Sequence, residues 1–390
     1  MVEIINRRAW LRSAGLLTTG IILDKVAVKE NLKFTSKQYN TNFWEWEKKD
    51  DFLKENAVMQ ARLLANENPY GPSSITQKAI IDAVSKGNRY GHSESAELID
   101  MIAKKEGVSK DAIMIGPGSS DLLEKTAITH FLKGGNIVSA DPAYMSIIKT
   151  AESMQAQWKP VPLTSTWAHD LPAMEAAIDS KTELIYICNP NNPTGTITDG
   201  KALWDFCARV ADKVPVFVDE AYLEFMDPSI RMSMVGLINE GKNVIVCRTF
   251  SKVYGMAGLR VGYIVAQPST IKKIEKITRG NMSMNVTAVH GAIAAMKDTA
   301  FVEECYSKNK QCREFVCSEL SKLGYEYLPS HTSFVLFPIT MNGQKFLGKM
   351  MEQGIGVRSF EIFNQTYCRV SIGTMNEMKL FVDGFKKVMV

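Results

Sequence analysis

The residues with the plainest chemical purpose are Lys252 and Arg260, in the run RTFSKVYGMAGLRVGY between Arg248 and Tyr263. A lysine among small hydroxyl residues and a glycine-rich turn, with an arginine soon after, suits an amine reagent beside a held anion. In a partly enclosed, low-dielectric site a lysine loses proton affinity and becomes a nucleophile toward a carbonyl carbon. A solvated lysine is the ordinary alternative. Asp219 closes the apolar part of VPVFVDEAYLEF, and Tyr222 follows it closely. A carboxylate at the lip of a buried strand is costly unless a cation or strong donors meet it. An arginine or lysine of the fold could meet it, and so could a protonated ring nitrogen.

Two further runs lie at expected strand ends. GPGSSDLL, Gly116 to Leu123, opens a helical pattern, so backbone N–H groups would face an anion, with the Ser119 and Ser120 hydroxyls as added donors. The same residues also make an ordinary turn with an N-cap. CNPNNPTGT, Cys188 to Thr196, ends a strand with prolines and a glycine and leaves the Asn192 amide projecting at the sheet edge, although a run of turn formers alone would account for it. Together the pieces suit a flat, cationic heterocycle with a phosphate arm, a phenolic oxygen and an aldehyde. Pyridoxal phosphate meets that description.

These residues need a scaffold that brings strand ends together. From Arg62 onward, short apolar runs (AIMIG, NIVSA, ELIYIC, VPVFVDEAY, NVIVCRTFS, RVGYIVA) alternate with helical ones (LPAMEAAID, GKALWDFCARVADK). That alternation predicts an α/β fold, an α/β/α sandwich with a mostly parallel sheet covered by helices on both faces and its site at the strand ends. Near residue 290 the texture changes: one long helical pattern leads into YEYLP, TSFVLFPI, GIGVRSF and YCRVSIG, then a closing amphipathic helix. This predicts a smaller α+β C-terminal domain. The expected division is 1–37 signal-like segment and linker, 38–65 N-terminal arm, 66–290 large domain and 291–390 small domain.

A chain of 390 residues, 45% hydrophobic and 23% charged, is ordinary for a globular protein with a large core and a satellite domain. The net charge of +4 comes without a basic block or interleaved aromatics, which argues against nucleic acid and for small-molecule partners. Seven scattered cysteines, with no CxxC pair and no metal-ligand spacing to the five histidines, indicate neither a disulfide framework nor a metal site. At the N-terminus, Arg7 and Arg8 precede Trp10, Leu11, Arg12 and a short apolar run that Asp24 closes. The run is too short to span a bilayer and resembles the twin-arginine export signal, which implies a periplasmic location. Asn6, Glu3 and the lack of a small-x-small site near Ala27 depart from that pattern, and an amphipathic helix of a cytoplasmic protein is the alternative.

Asn192-Pro-Thr-Gly, Asp219 with Tyr222, and Ser251-Lys252 with Arg260 resemble the fold-type I aminotransferases. NENPYGP, NRYG, SKVYGMAGLRVGY and CRVSIGT are most similar to the histidinol-phosphate aminotransferase branch. The resemblance covers about residues 62 to 390. It implies a Schiff base between Lys252 and pyridoxal phosphate, with Lys252 then moving the proton during transfer of an amino group between an amino acid, or a phosphorylated amine, and a 2-oxo acid. It implies that Asp219 pairs with the ring nitrogen, that Asn192 and Tyr222 bond the phenolic oxygen, and that Tyr144 stacks on the ring. Ser119, Ser120, Thr249, Ser251 and Arg260 would hold the phosphate. Tyr90 would reach the neighbouring subunit's site in a homodimer. Arg369 would clamp the substrate carboxylate, with Asn68, Tyr70 and Arg358 lining the substrate side. Arg89-Tyr90-Gly91-His92 departs from the family's Arg-Tyr-Pro, which puts the substrate in doubt, and export would set the chain apart from cytoplasmic histidine synthesis. A β-lyase or other carbanion chemistry on the same scaffold is the first alternative, and a non-catalytic sensor the distant one.

Overall fold

A computed structural model describes residues 59–279 and 283–389. The signal-like segment and residues 38–58 of the expected arm lie outside the described residues. Seven strands form the main sheet in the order β2-β8-β7-β6-β5-β3-β4. They are β2 (Ile113–Gly116), β3 (Asn136–Asp141), β4 (Gln157–Pro162), β5 (Thr182–Cys188), β6 (Val216–Asp219), β7 (Val244–Thr249) and β8 (Gly262–Val265). The pairings among β3, β4, β5, β6 and β7 are parallel, and β8 runs antiparallel to both β7 and β2.

Apolar content on both faces makes these strands central. Every residue of β6 and β7 is buried. Alternate residues feed two separate cores, as a period of two requires. Ile185, Ile187, Val216, Val218, Val244 and Val246 join one core, and Leu184, Tyr186, Phe217, Ile245 and Cys247 join the other. The first is closed by helices α2 (His92–Glu106), α5 (Leu171–Ala176), α6 (Gly200–Val210), α7 (Gly236–Asn239) and α9 (Val286–Lys297), and the second by α3 (Ser119–Phe131), α4 (Ser146–Ser153) and α8 (Pro268–Glu275). Helix α1 (Ser74–Ala83) packs on α9. Each fully buried aliphatic or aromatic side chain contributes about 1.5–3 kcal/mol.

The C-terminal part has a core of its own. Strands β9 (Phe334–Pro338), β11 (Arg358–Ile362) and β12 (Gln365–Ser371) form an antiparallel sheet in the order β11-β12-β9. One face, with Val335, Phe337, Cys368 and Val370, packs on α10 (Thr299–Lys322), α11 (Gly343–Glu352) and α12 (Met375–Met389) through Val316, Phe346, Phe381 and Phe385. The other face presents Phe334, Phe360 and Arg369. The first described strand, β1 (Ala61–Arg62), pairs in parallel with β10 (Ile355–Gly356), and Ala61 and Leu63 enter this third core.

Three details differ from the sequence pattern. β4 forms at Gln157–Pro162, in an edge strand whose only buried residue is Val161, too polar to stand out as a strand. YEYLP forms no strand. The long helical run breaks at Asp298, whose carboxylate accepts from the Phe301 N–H and caps α10, a local bond worth about 1 kcal/mol that apolar periodicity does not register. The expected 290/291 division falls inside α9. No helix among the described residues is long and apolar enough to cross a membrane.

Candidate active site

The chemical residues gather where central strands stop. β5 delivers Asn189 to Asn192, β6 delivers Asp219, β7 delivers Thr249, Ser251 and Lys252, and β2 delivers the turn into α3. This is the edge at which open α/β sheets hold ligands.

Asp219 is 3% exposed. Tyr186 Oη donates to its Oδ2 at 3.3 Å and the Ala221 N–H to its Oδ1 at 3.2 Å. No cation among the described residues makes an ion pair with it, and burial raises its pKa to about 6 in spite of those donors and the Lys252 charge. Lys252 is half-buried; its Nζ donates to the carbonyl oxygens of Asn66 at 3.2 Å and Ala65 at 3.5 Å and lies 5.4 Å from the Tyr222 ring centroid. Burial, followed by the Arg369 charge, lowers its pKa to about 8. The amine is therefore far readier to be neutral than an exposed lysine, and it stands near a carboxylate that has no partner charge.

The anion end is built on backbone. Gly118 precedes α3 at φ +87 with no side-chain cap, leaving first-turn N–H groups beside Ser119 and Ser120. Helices α5, α6, α9, α10 and α11, in contrast, start at Asp170, Asp199, Asn285, Asp298 and Asn342, whose side chains accept those bonds. A Cβ at Gly118 would collide with the Arg260 guanidinium, so the glycine is what lets that cation lie over the turn. Arg260 itself sits in the left-handed region at φ 52, and its Nη1 donates to Ala257 O at 3.0 Å and Ser251 Oγ at 3.4 Å. Thr249 Oγ1 accepts from the Ser251 N–H at 3.1 Å. Tyr144 packs at the edge of the core that contains Cys188 and Tyr186.

On the C-terminal sheet, Arg369 is 4% exposed and lies between the Phe334 and Phe360 rings, 5.2 and 5.1 Å from their centroids. It donates to Asn192 Oδ1 at 2.6 Å and Leu64 O at 3.2 Å, while its Nε has no partner. No carboxylate among the described residues pairs with it, and burial, then the charge of Arg358, lowers its pKa to about 9. Arg358 stands opposite Arg369 in the β11/β12 register. Asn68 and Tyr70 line a neighbouring cleft with Phe225, Cys305 and Ser333. There the Asn68 Nδ2 donates to Val253 O at 2.8 Å and Cys305 Sγ at 3.2 Å. Tyr90 is the outlier: it is 82% exposed and its ring meets that of His92 at 5.8 Å.

Two residues that bond the site were not singled out from the sequence. Tyr186 lies in a strand of apolar neighbours and carries no local signal. Asn66, the first residue of NENPYGP, donates from Nδ2 to Tyr222 Oη at 3.0 Å. The motif was a signal, but only the later Asn68 and Tyr70 were read from it.

The residues present fit pyridoxal phosphate on three observations of their own chemistry. A buried carboxylate lacks a cation, a helix start bared by a glycine meets an arginine, and an amine of depressed basicity stands near both. Among the described residues no cluster of His, Cys, Asp and Glu could hold a metal ion.

Residues 59–385 match the family model for aminotransferase class I and II. The chain is 35% identical over 330 residues to the histidinol-phosphate aminotransferase of Moorella thermoacetica, covering 84% of this chain and 85% of that one. It superposes at a TM-score of 0.79 and 27% identity on the Sinorhizobium meliloti histidinol-phosphate aminotransferase in complex with pyridoxal-5'-phosphate, covering 85% and 91% of the two chains. The fold is shared as well with Thermus thermophilus aspartate aminotransferase with maleate, at a TM-score of 0.78, 19% identity and coverage of 88% and 96%. With its strand-end lysine, its buried carboxylate that lacks an ion pair and these likenesses, the chain belongs to the aminotransferase class I and II family, the fold-type I enzymes that transfer amino groups with pyridoxal phosphate.

Proposed function

We propose that this enzyme moves an amino group between an amino acid, or a phosphorylated amine, and a 2-oxo acid, with Lys252 as the residue that holds and then serves the cofactor. The observation that carries the reading is the pairing of Lys252, of depressed basicity, with Asp219, buried and without an ion pair. Bound there, pyridoxal phosphate supplies an aldehyde carbon for the amine and an electron sink for the pair left when a substrate Cα loses its proton. Asp219 holds the ring nitrogen in its protonated form, which gives the carboxylate the cation it lacks. Lys252 Nζ would take the proton from the substrate Cα and hold it for return, as the general base and acid of the transfer. Tyr222 and Asn192 bond the phenolic oxygen, and Tyr144 covers the ring. Ser119, Ser120, Thr249, Ser251 and Arg260 hold the phosphate through N–H, hydroxyl and guanidinium donors.

Arg369 receives the anionic group of the substrate. Its unpartnered Nε and its setting between two aromatic rings support that role. Arg358, opposite it, adds a second positive charge, which favours strongly anionic substrates, including the phosphorylated amines after which the relatives are named. Asn68 and Tyr70 line the approach. The exposed Tyr90, with exposed Ile75, Ile81 and Val84 nearby along the chain, supports a homodimer in which Tyr90 reaches the partner's cofactor phosphate. The Arg7-Arg8 pattern supports twin-arginine export to the periplasm, tested by fractionation and sequencing of the mature N-terminus.

The central test is spectral. Purified protein supplied with pyridoxal phosphate should gain visible absorbance that borohydride abolishes while fixing the cofactor to Lys252. An amino donor alone should bleach that band in one turnover, and a 2-oxo acid should restore it. A preparation that takes up no cofactor, or that keeps releasing pyruvate and ammonia from one donor, overturns the assignment.

A further inference from the structure

Asn66 stands in the left-handed backbone region at φ 52 and is only 2% exposed. A non-glycine residue stays there when its surroundings over-determine it, and asparagine tolerates the region better than most. Its polar groups touch two of the residues assigned to the reaction, Tyr222 and Lys252. The Asn66 N–H donates to Ser371 Oγ at 2.8 Å, and the Ser371 hydroxyl donates to Asn66 Oδ1 at 2.8 Å. Asn66 Nδ2 donates to Tyr222 Oη at 3.0 Å, and the Asn66 carbonyl accepts from Lys252 Nζ at 3.2 Å.

The directions of these bonds follow from one group. A backbone N–H can only donate, so Ser371 Oγ accepts from it, and the serine hydroxyl gives its own proton to the Asn66 side chain. The atom that receives it must be Oδ1. That places the NH2 of the same amide at Tyr222, where it can only donate. Tyr222 Oη therefore accepts from Asn66, and its own proton is left for a different acceptor. We propose that Asn66 is a positioning residue that turns Tyr222 into a one-way donor, aiming its O–H at the phenolic oxygen of the bound cofactor. The inference rests on the reading above that this oxygen meets Tyr222. Ser371 lies on β12 two residues beyond Arg369, so the same chain of bonds ties the strand of the substrate arginine to the tyrosine.

The charged and titratable groups around Tyr222 are Lys252, Arg369, Cys188 and Tyr144, with the Phe334 ring packed edge-on at 5.3 Å. Neither Arg369 nor the Phe334 ring can accept the tyrosine proton, and among the described residues Tyr222 Oη makes no hydrogen bond to Cys188, Tyr144 or Lys252.

The test is a pH titration of the visible absorbance of the cofactor-loaded protein, because a donor on the phenolic oxygen favours its deprotonated form and lowers the midpoint. Tyr222→Phe should raise the midpoint. Asn66→Gly, which keeps the positive φ and deletes the amide, should raise it by about half to one pH unit, the scale of one hydrogen bond. Asn66→Asp should raise it as far as Tyr222→Phe, since a carboxylate there accepts the tyrosine proton and reverses the bond. Asn66→Asp added to Tyr222→Phe should give no further rise. If Tyr222→Phe leaves the midpoint in place, the reading of Tyr222 falls. If Tyr222→Phe moves it and both Asn66 variants do not, or if Asn66→Asp moves it equally with and without the tyrosine, the role of Asn66 is overturned and the reading stands. Should the aspartate variant fail to fold, Ser371→Ala, which frees the amide to flip, should raise the midpoint by a smaller step; an unchanged midpoint there overturns the inference.

Discussion

Strands β6 and β7 end in charge on both of their faces, and the two faces treat it differently. On one, Arg248 Nε donates to Glu220 Oε2 at 2.8 Å, Nη1 to Glu224 Oε1 at 3.3 Å and Nη2 to Ser233 Oγ at 3.0 Å. Glu220 also accepts the Met234 N–H at 2.7 Å and the Ser233 hydroxyl at 2.9 Å. Every charge there is met by protein. One residue before Glu220, on the other face, Asp219 is equally buried with no cation, and Lys252 Nζ hydrogen-bonds only to carbonyl oxygens beside the Tyr222 ring. A buried charge with a full set of partners is tolerated by the fold and costly to break; one without them is a standing cost, retained where a ligand supplies the missing charge.

The strongest way to break that comparison is Lys252→Ala. Amino transfer should fall by roughly 10^4-fold or more, with far-UV circular dichroism and the melting temperature held; near-normal turnover would remove the lysine from the proposed role. Next is a pair of stability measurements. Arg248→Met leaves Glu220 buried without its cation and should cost about 3–5 kcal/mol in denaturant unfolding. Asp219→Asn should instead stabilise the cofactor-free protein near pH 7. The sign follows from Asp219 having a folded pKa of about 6, above its unfolded value. Its contribution is complete below pH 4, where both states are protonated, and is lost as pH rises through about 6. The cofactor-free wild type should therefore lose roughly 2–3 kcal/mol across that window, and the asparagine variant should not. If both substitutions destabilise alike at neutral pH, the two faces do not differ in kind.

Arg369→Lys keeps the charge and loses the planar fork, and should lower kcat/KM by about 10–100-fold, mainly through KM. The smallest effect expected is on cofactor loading. Lys252 titrates at about 8, so the loading rate should rise roughly tenfold between pH 7 and 9 as the neutral amine forms. A loading rate flat across that range would mean that the amine is not the reacting group.

The lysine, the carboxylate and the anion-binding turn were legible because each lies in a short contiguous run at a strand end. Local spacing and an out-of-place charge are enough to mark them. Asn66 and Ser371 were not, since they are 305 positions apart and neither is unusual until the chain brings them to 2.8 Å. Tyr186 is hidden for a different reason: one hydroxyl in an apolar strand does not announce that it points at Asp219. The break at Asp298 and the pairing of β1 with β10 were equally invisible, because the first rests on one capping bond and the second on two residues at each strand.

Residue order by itself determined the α/β alternation, the strand-end motifs and therefore the kind of cofactor chemistry, since apolar period and local motif are properties of neighbouring residues. Only the tertiary structure decided which buried charges are satisfied and which are not. Burial and partnership are sums over groups far apart in the chain, and at Asp219, Lys252 and Arg369 those sums leave a need that no side chain among the described residues meets.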